Sequence, residues 1–183
     1  MHPLAPVTAL AIVAVGLGAV IAHQQPITAV SGTGPVDVGG LQYAVGGARP
    51  LDEIGDAPVI RALPRSQPHA SRQGVLYGVF VTVDNRGPRA WPMARRFALI
   101  DADEHSFTPI PLRRDSAFAY RARSLPGWQL APATGSAPAD DYAEEGYPLV
   151  FRIPSANSRD GLLTLRVFDP TGSAPGDTVV QAA

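Results

Sequence analysis

The side chains that usually do the chemistry of a site are unevenly represented in this sequence of 183 residues. It contains no Cys and no Lys, so all fifteen basic residues are Arg. Without thiols there is no disulfide, no thiolate metal site and no Cys nucleophile within the chain. Without Lys there is no Schiff-base chemistry, no Walker-type phosphate loop and no Ser-Lys dyad. The imidazoles of His2, His23, His69 and His105 never fall at the i, i+2 or i, i+4 spacing that holds zinc or copper. No Ser occupies a G-x-S-x-G elbow, and a triad built on His69 or His105 would have to be assembled by the fold. An enzyme would need His105, Asp101, Asp115 or Glu144 to converge, which nothing in their linear order predicts. The carboxylates come in two groups. Asp101, Asp103 and Glu104 could open a calcium loop, but its sixth and twelfth positions are Ser106 and Leu112 where Gly and Glu belong, so a hairpin turn is the simpler reading. Asp140, Asp141, Glu144 and Glu145 could form a weak divalent site or a solvated loop. No metal, cofactor or catalytic residue is expected.

The Arg residues are the more informative set. The formal net charge is -1, which removes any global argument for nucleic-acid binding. Yet residues 86–123 hold eight Arg against four carboxylates. If Arg86, Arg89, Arg95, Arg96, Arg113 and Arg114 share a face, their planar guanidinium groups can grip phosphate or carboxylate bidentately. The alternative is that they spread over both faces for solubility. Trp91 and Trp128, in loop contexts beside Pro92 and Gly127, either cover the edge of the core or anchor an interface.

These residues need a scaffold, and the pattern predicts a β-rich one. The chain is 45% hydrophobic, enough for a core, but 18 Gly and 19 Pro punctuate it too often for long helices. Leu41, Tyr43 and Val45 alternate with Gln42 and Ala44 until Gly46-Gly47. A short helical turn is credible around Asp56–Leu63. Val75–Asn85 carries apolar residues on both parities, as expected of a central strand lying between a second sheet and a covering loop. Phe97–Asp101 and Ser106–Ile110 flank a hairpin turn, and Asp115-Ser116 could cap a short helix reaching Arg123. Residues 124–146 read as a surface excursion. Tyr147–Ile153 and Leu162–Asp169 then read as a terminal hairpin.

From Leu4 to Ala22 the chain is apolar and uncharged. Nineteen residues at about 1.5 Å rise just span a hydrocarbon core of about 30 Å. The segment fits a retained membrane helix, in which Gly16 and Gly18 would mediate helix packing, a signal peptide cut before His23, or a buried soluble helix. Either of the first two exports the rest of the chain. The organisation expected is therefore a transmembrane or signal segment over 1–22, a linker over 23–40, a β-sandwich over 41–170 and a C-terminal tail over 171–183.

The order of the motifs carries a resemblance. A strand ending in V-x-V-x-N-x-G (Val81, Val83, Asn85, Gly87) precedes F-x-L-x-D-x-D (Phe97, Leu99, Asp101, Asp103), then L-V-F-x-I-P (Leu149–Pro154) and L-x-L-x-V (Leu163, Leu165, Val167). This resembles exported bacterial domains, common in actinobacteria, that are similar to the mycobacterial immunoprotective extracellular protein. The resemblance implies an immunoglobulin-like antiparallel β-sandwich behind one N-terminal transmembrane or signal helix, and it brings no catalytic residues. Two departures fall in loops: Asp101-Ala102-Asp103-Glu104 replaces the family's Asp-x-Asp-Gly turn, and the stretch from Pro111 to Gly146 is long. The function expected is a non-enzymatic extracytoplasmic binding module, a membrane-anchored accessory subunit with a protein partner in the membrane or envelope. The alternative is a secreted or wall-associated domain that binds an anionic polymer or lipid headgroups through an Arg-rich face.

Overall fold

A computed structural model of the chain describes residues 34–65, 74–141, 146–154, 162–171 and 176–181. The architecture is organised by β3 (Val75–Asp84), buried on both faces along most of its length. Its odd-numbered residues Tyr77, Val79, Val81 and Val83 face one apolar cluster, and Leu76 and Phe80 face another. On one side β3 pairs with β2 (Leu41–Pro50), which also carries β1 (Val36–Val38). On the other it pairs with β9 (Tyr147–Ile153) and, at its end, with β8 (Leu130–Ala131). The second sheet has the order β11 (Gly176–Gln181), β10 (Leu162–Phe168), β5 (Arg96–Ile100) and β6 (Ser106–Phe107). Every pairing is antiparallel.

The two sheets share the larger core. Tyr43, Val79, Val81 and Phe151 of the first meet Phe97, Leu99, Leu163 and Leu165 of the second. The opposite face of β3 and β9 is covered by α1 (Ala57–Arg61) and by the loop that carries Ile110, Leu112 and Phe118. The central-strand reading therefore holds, with a second sheet on one side and a helix plus loop on the other.

Other expectations need correction. The strand starting at Leu41 does not stop at Gly46-Gly47 but continues to Pro50. A bulge between Val45 and Gly47 inserts one residue, so inward positions change from Leu41, Tyr43 and Val45 to Ala48. Strand β1 lies in what reads as linker, and β11 lies in what reads as tail. The expected terminal hairpin is absent: β9 pairs with β3, and β10 pairs with β5 and β11. Burial explains this, because Pro148 and Val150 are covered on the outer face of β9, whereas Thr164, Arg166 and Phe168 are only half-buried on β10. The covered outer row places β9 beside β3 under α1 and the covering loop, whereas β10 lies in the other sheet. No helix runs from Asp115 to Arg123; turns at Arg113–Ser116 and Ser116–Ala119 lead into an extended segment instead. A short helix α2 (Ala137–Asp141) falls in the expected surface excursion.

Among the described residues no helix is long and apolar enough to cross a membrane. The leader, including Gly16 and Gly18, lies outside the described residues, as do His2, His23, His69, Glu144 and Glu145.

Candidate functional site

The site is built at the end of the first sheet where β3 stops. Asn85 follows β3 directly and is fully buried. Its side-chain amide donates to the carbonyls of Arg89 (2.7 Å), Leu125 (2.9 Å) and Pro126 (2.9 Å), while its oxygen accepts the Gly87 amide at 3.1 Å. The Asn85 amide donates to the Gln129 carbonyl and the Trp128 amide to the Gly87 carbonyl. One buried polar side chain thus ties together two segments that are far apart in sequence. Their pairing continues through β4 (Trp91–Pro92) and β7 (Ser124–Leu125), then through the Met93 amide to the Arg123 carbonyl at 2.9 Å.

That zipper has an electrostatic consequence. Residues 85–100 and 116–139 contain no Asp or Glu; they contribute Arg86, Arg89 and Arg123 to the paired ribbon and Arg95, Arg96 and Arg121 to the chain just beyond it. All six are exposed. Arg86 is paired with Asp84 at 2.7 Å. Among the described residues Arg89, Arg95, Arg96 and Arg123 have no carboxylate partner.

The two Trp residues divide between the two roles open to them. Trp91 is half-buried, its indole lying over Gly40 at φ +81, where a Cβ would come within 2.6 Å of the ring. Trp128 is 72% exposed at the ribbon tip with φ +62, a left-handed conformation that is costly for a bulky residue. Gly127 beside it is required by close approach, since a Cβ there would meet the Pro88 carbonyl at 2.5 Å. Leu130, 47% exposed, extends the apolar tip.

Arg95 and Arg96 are positioned by the residue before them. The Ala94 amide donates to the Tyr43 hydroxyl at 2.7 Å, and the Tyr120 hydroxyl donates to the Ala94 carbonyl at 3.0 Å. Burial raises the pKa of both phenols, so they stay neutral donors and acceptors. Edge-to-face contacts link Tyr43, Phe97, Tyr120 and Tyr147. The Arg96 guanidinium lies 4.3 Å over the Phe168 ring. Beside these two Arg residues opens a groove of about 340 Å³ between the start of β5, the end of β10, the loop 108–112 and β9.

Arg113 and Arg114 lie elsewhere. The Arg113 amide is bonded to the Ala62 carbonyl beyond α1, and its guanidinium pairs with Asp115 at 3.3 Å. The Arg114 carbonyl accepts from the Arg121 guanidinium. So Arg86, Arg89, Trp91 and Trp128 lie on the paired ribbon, Arg95 and Arg96 lie where its first segment runs into β5, and Arg113 lies beside α1.

The Asp101–Glu104 group is a hairpin turn between β5 and β6. One Asp101 carboxylate oxygen accepts the amides of Asp103 and His105, and the other faces His105 Nδ1 at 3.1 Å. Both oxygens are engaged in making the turn. Asp115 is instead with Arg113, so it does not join the Asp101–His105 pair. No group of three or more metal-ligating side chains occurs among the described residues.

Sequence reasoning missed Asn85, Tyr43 and Tyr120 as parts of the site. The signal for Asn85 was its place at the end of a mostly apolar strand, where a buried amide has loop backbone to satisfy.

No family model matches the chain, and neither does any curated protein. Among solved structures the yjhA protein from Bacillus subtilis is similar over 76% of this chain and 85% of its own, at 13% identity and a TM-score of 0.49. That likeness bears on neither function nor site.

Proposed function

We propose that this chain is a non-enzymatic extracytoplasmic binding module whose Arg ribbon and Trp128 tip contact an anionic polymer or lipid headgroups. In this reading the apolar leader carries the domain across or into the membrane. The two sheets are those of an immunoglobulin-like sandwich, as the motif resemblance implies, and the work is done by loops at one end. The observation that carries the proposal is Trp128, a large apolar side chain held out in solvent in a left-handed conformation by a buried brace. A strained backbone that exposes an aromatic residue works against stability and is commonly kept for contact with another molecule. Unpaired guanidinium groups on the same ribbon give that contact its charge. A protein partner is the second reading, favoured by exposed Trp128, since Trp is enriched among interface hot spots.

Binding of the full chain to poly(glycerol phosphate), followed calorimetrically, tests the proposal. Affinity should fall with added salt and drop at least about tenfold in Arg89→Gln/Arg123→Gln, the scale of lost charge-assisted hydrogen bonds. Trp128→Gly should weaken binding with stability held within about 1 kcal/mol, because relief of the left-handed strain offsets the added freedom of glycine. Polymer binding that ignores both salt and these substitutions would overturn the proposal. Binding of a neutral protein partner that Trp128→Gly abolishes would favour the second reading.

A further inference from the structure

The groove beside Arg95 and Arg96 has a character different from the flat ribbon. Its lining is amphipathic, with an apolar part from Ile110 and Leu112 of the covering loop, Leu149 of β9 and Phe168 of β10 and a polar part that includes Ser106 and Thr108. Its volume of about 340 Å³ lies at the low end of the roughly 300–1,000 Å³ typical of small-molecule sites. Arg95 and Arg96 also line it, and neither has a carboxylate partner among the described residues. The face of the Arg96 guanidinium is taken by Phe168, which leaves its in-plane N–H groups free to fork two oxygens of one anion. The groove is already formed in the folded chain. The Ile110 amide bonded to the Val150 carbonyl at 2.7 Å fixes the covering loop, and the two tyrosines on Ala94 fix the backbone just before the Arg pair.

We infer that this groove is a binding site for a small anionic amphiphile, a molecule with one carboxylate or phosphate head on an apolar body. The head pairs with Arg95 and Arg96, and the body lies between Leu112, Leu149 and Phe168. Charge complementarity selects this occupant. A neutral apolar molecule would leave the guanidinium pair unanswered, and a bare anion would leave the apolar walls wet. The site uses Arg95 and Arg96, just beyond the ribbon, and does not depend on polymer binding, which is assigned to Arg89, Arg123 and Trp128.

Titration of the full chain with octanoate, octyl phosphate, octanol and inorganic phosphate, followed through the methyl signals of Ile110, Leu112 and Leu149, tests the inference. At least one of the two amphiphilic anions should shift those methyls saturably and bind about ten- to a hundredfold more tightly than octanol or inorganic phosphate. Arg95→Gln/Arg96→Gln, at exposed positions that leave the core untouched, should remove that advantage. Three results would overturn the inference: no saturable methyl shifts with either amphiphile, octanol binding as tightly as the anions, or inorganic phosphate matching octyl phosphate. Any of these, with poly(glycerol phosphate) binding intact, would remove the groove and leave the ribbon. Loss of polymer binding alone, with the methyl shifts retained, would do the reverse.

Discussion

Replacing Asn85 by Ala separates a structural brace from a contact face more cleanly than any other single change. The side chain has two N–H hydrogens shared among three carbonyls and one oxygen that accepts the Gly87 amide. Net hydrogen-bond contributions of about 0.5–1.5 kcal/mol each, for its two N–H hydrogens and its oxygen, give a loss of roughly 2–4 kcal/mol. For a chain of this size that lowers Tm by about 2–4 °C per kcal/mol. Urea unfolding should show a lower midpoint with an unchanged slope, since the change removes contacts without altering the surface exposed on unfolding. Amide exchange should speed up first at Trp128 and Asn85, whose amides cross the zipper to Gly87 and Gln129. Asn85→Asp, nearly isosteric, offers no N–H and sets a charge against three carbonyls, so it should cost at least as much. Leu165→Ala in the shared core supplies the control, because it costs a comparable ~2–5 kcal/mol far from the zipper. Under folding conditions the Asn85→Ala variant should lose polymer binding and the Leu165→Ala variant should keep it. A cost below about 0.5 kcal/mol for Asn85→Ala, or equal binding by the two variants, would refute the brace.

Asp56→Ala should destabilise by about 2–4 kcal/mol, because the 1% exposed carboxylate accepts from Arg49 at 2.8 Å and from the Asp52 amide at 3.1 Å. Arg49, stacked 4.4 Å over Phe80, would be left facing the apolar cluster under α1, and chemical denaturation measures the loss. Stability should also fall steeply in alkali. Burial pushes the Tyr77 phenol up to about 12 and raises Tyr43 and Tyr120 in the same direction. A raised native pKa means that the unfolded chain gives up these protons first, so the stability is whole below about pH 10 and is lost as pH climbs toward 12. The slope should be about 1.4 kcal/mol per pH unit for each such tyrosine. Tyr77→Phe should flatten the slope and, since its buried hydroxyl has no hydrogen-bond partner among the described residues, cost little at neutral pH. An unfolding profile that stays flat above about pH 10 would remove the argument.

What was legible in the sequence came from local periodicity. The apolar run Val75–Asp84 announces a strand covered on both faces, because both parities are filled, and α1 and the covering loop supply the second cover. The turn at Asp101–Glu104 is equally local, since Asp101 takes the Asp103 and His105 amides within a few residues. Sheet membership was not legible. Neighbouring strands β9 and β10 each satisfy the alternation of a hairpin, and the difference between them lies in what covers their outer faces. The bulge at Val45/Gly47 was hidden for a related reason. Two glycines read as a stop, whereas here the chain inserts one extra residue and moves its inward row to Ala48.

The site itself comes from combining a legible fact with an illegible one. The sequence shows that Arg is concentrated between residues 86 and 123, but a charge count over that window includes Asp101, Asp103, Glu104 and Asp115 and so mixes two surfaces. Antiparallel register resolves the mixture. Trp91 opposite Leu125 and the Met93 amide on the Arg123 carbonyl lay one acid-free segment along the other, while the intervening carboxylates are carried away on the β5–β6 turn and the loop beyond Leu112. A ribbon whose Arg residues came from one segment alone would carry less charge and no Trp tip. Breaking the register at Asn85 is therefore expected to dissolve the proposed face without removing a single Arg from the chain, which ties charge, brace and exposed Trp128 into one arrangement.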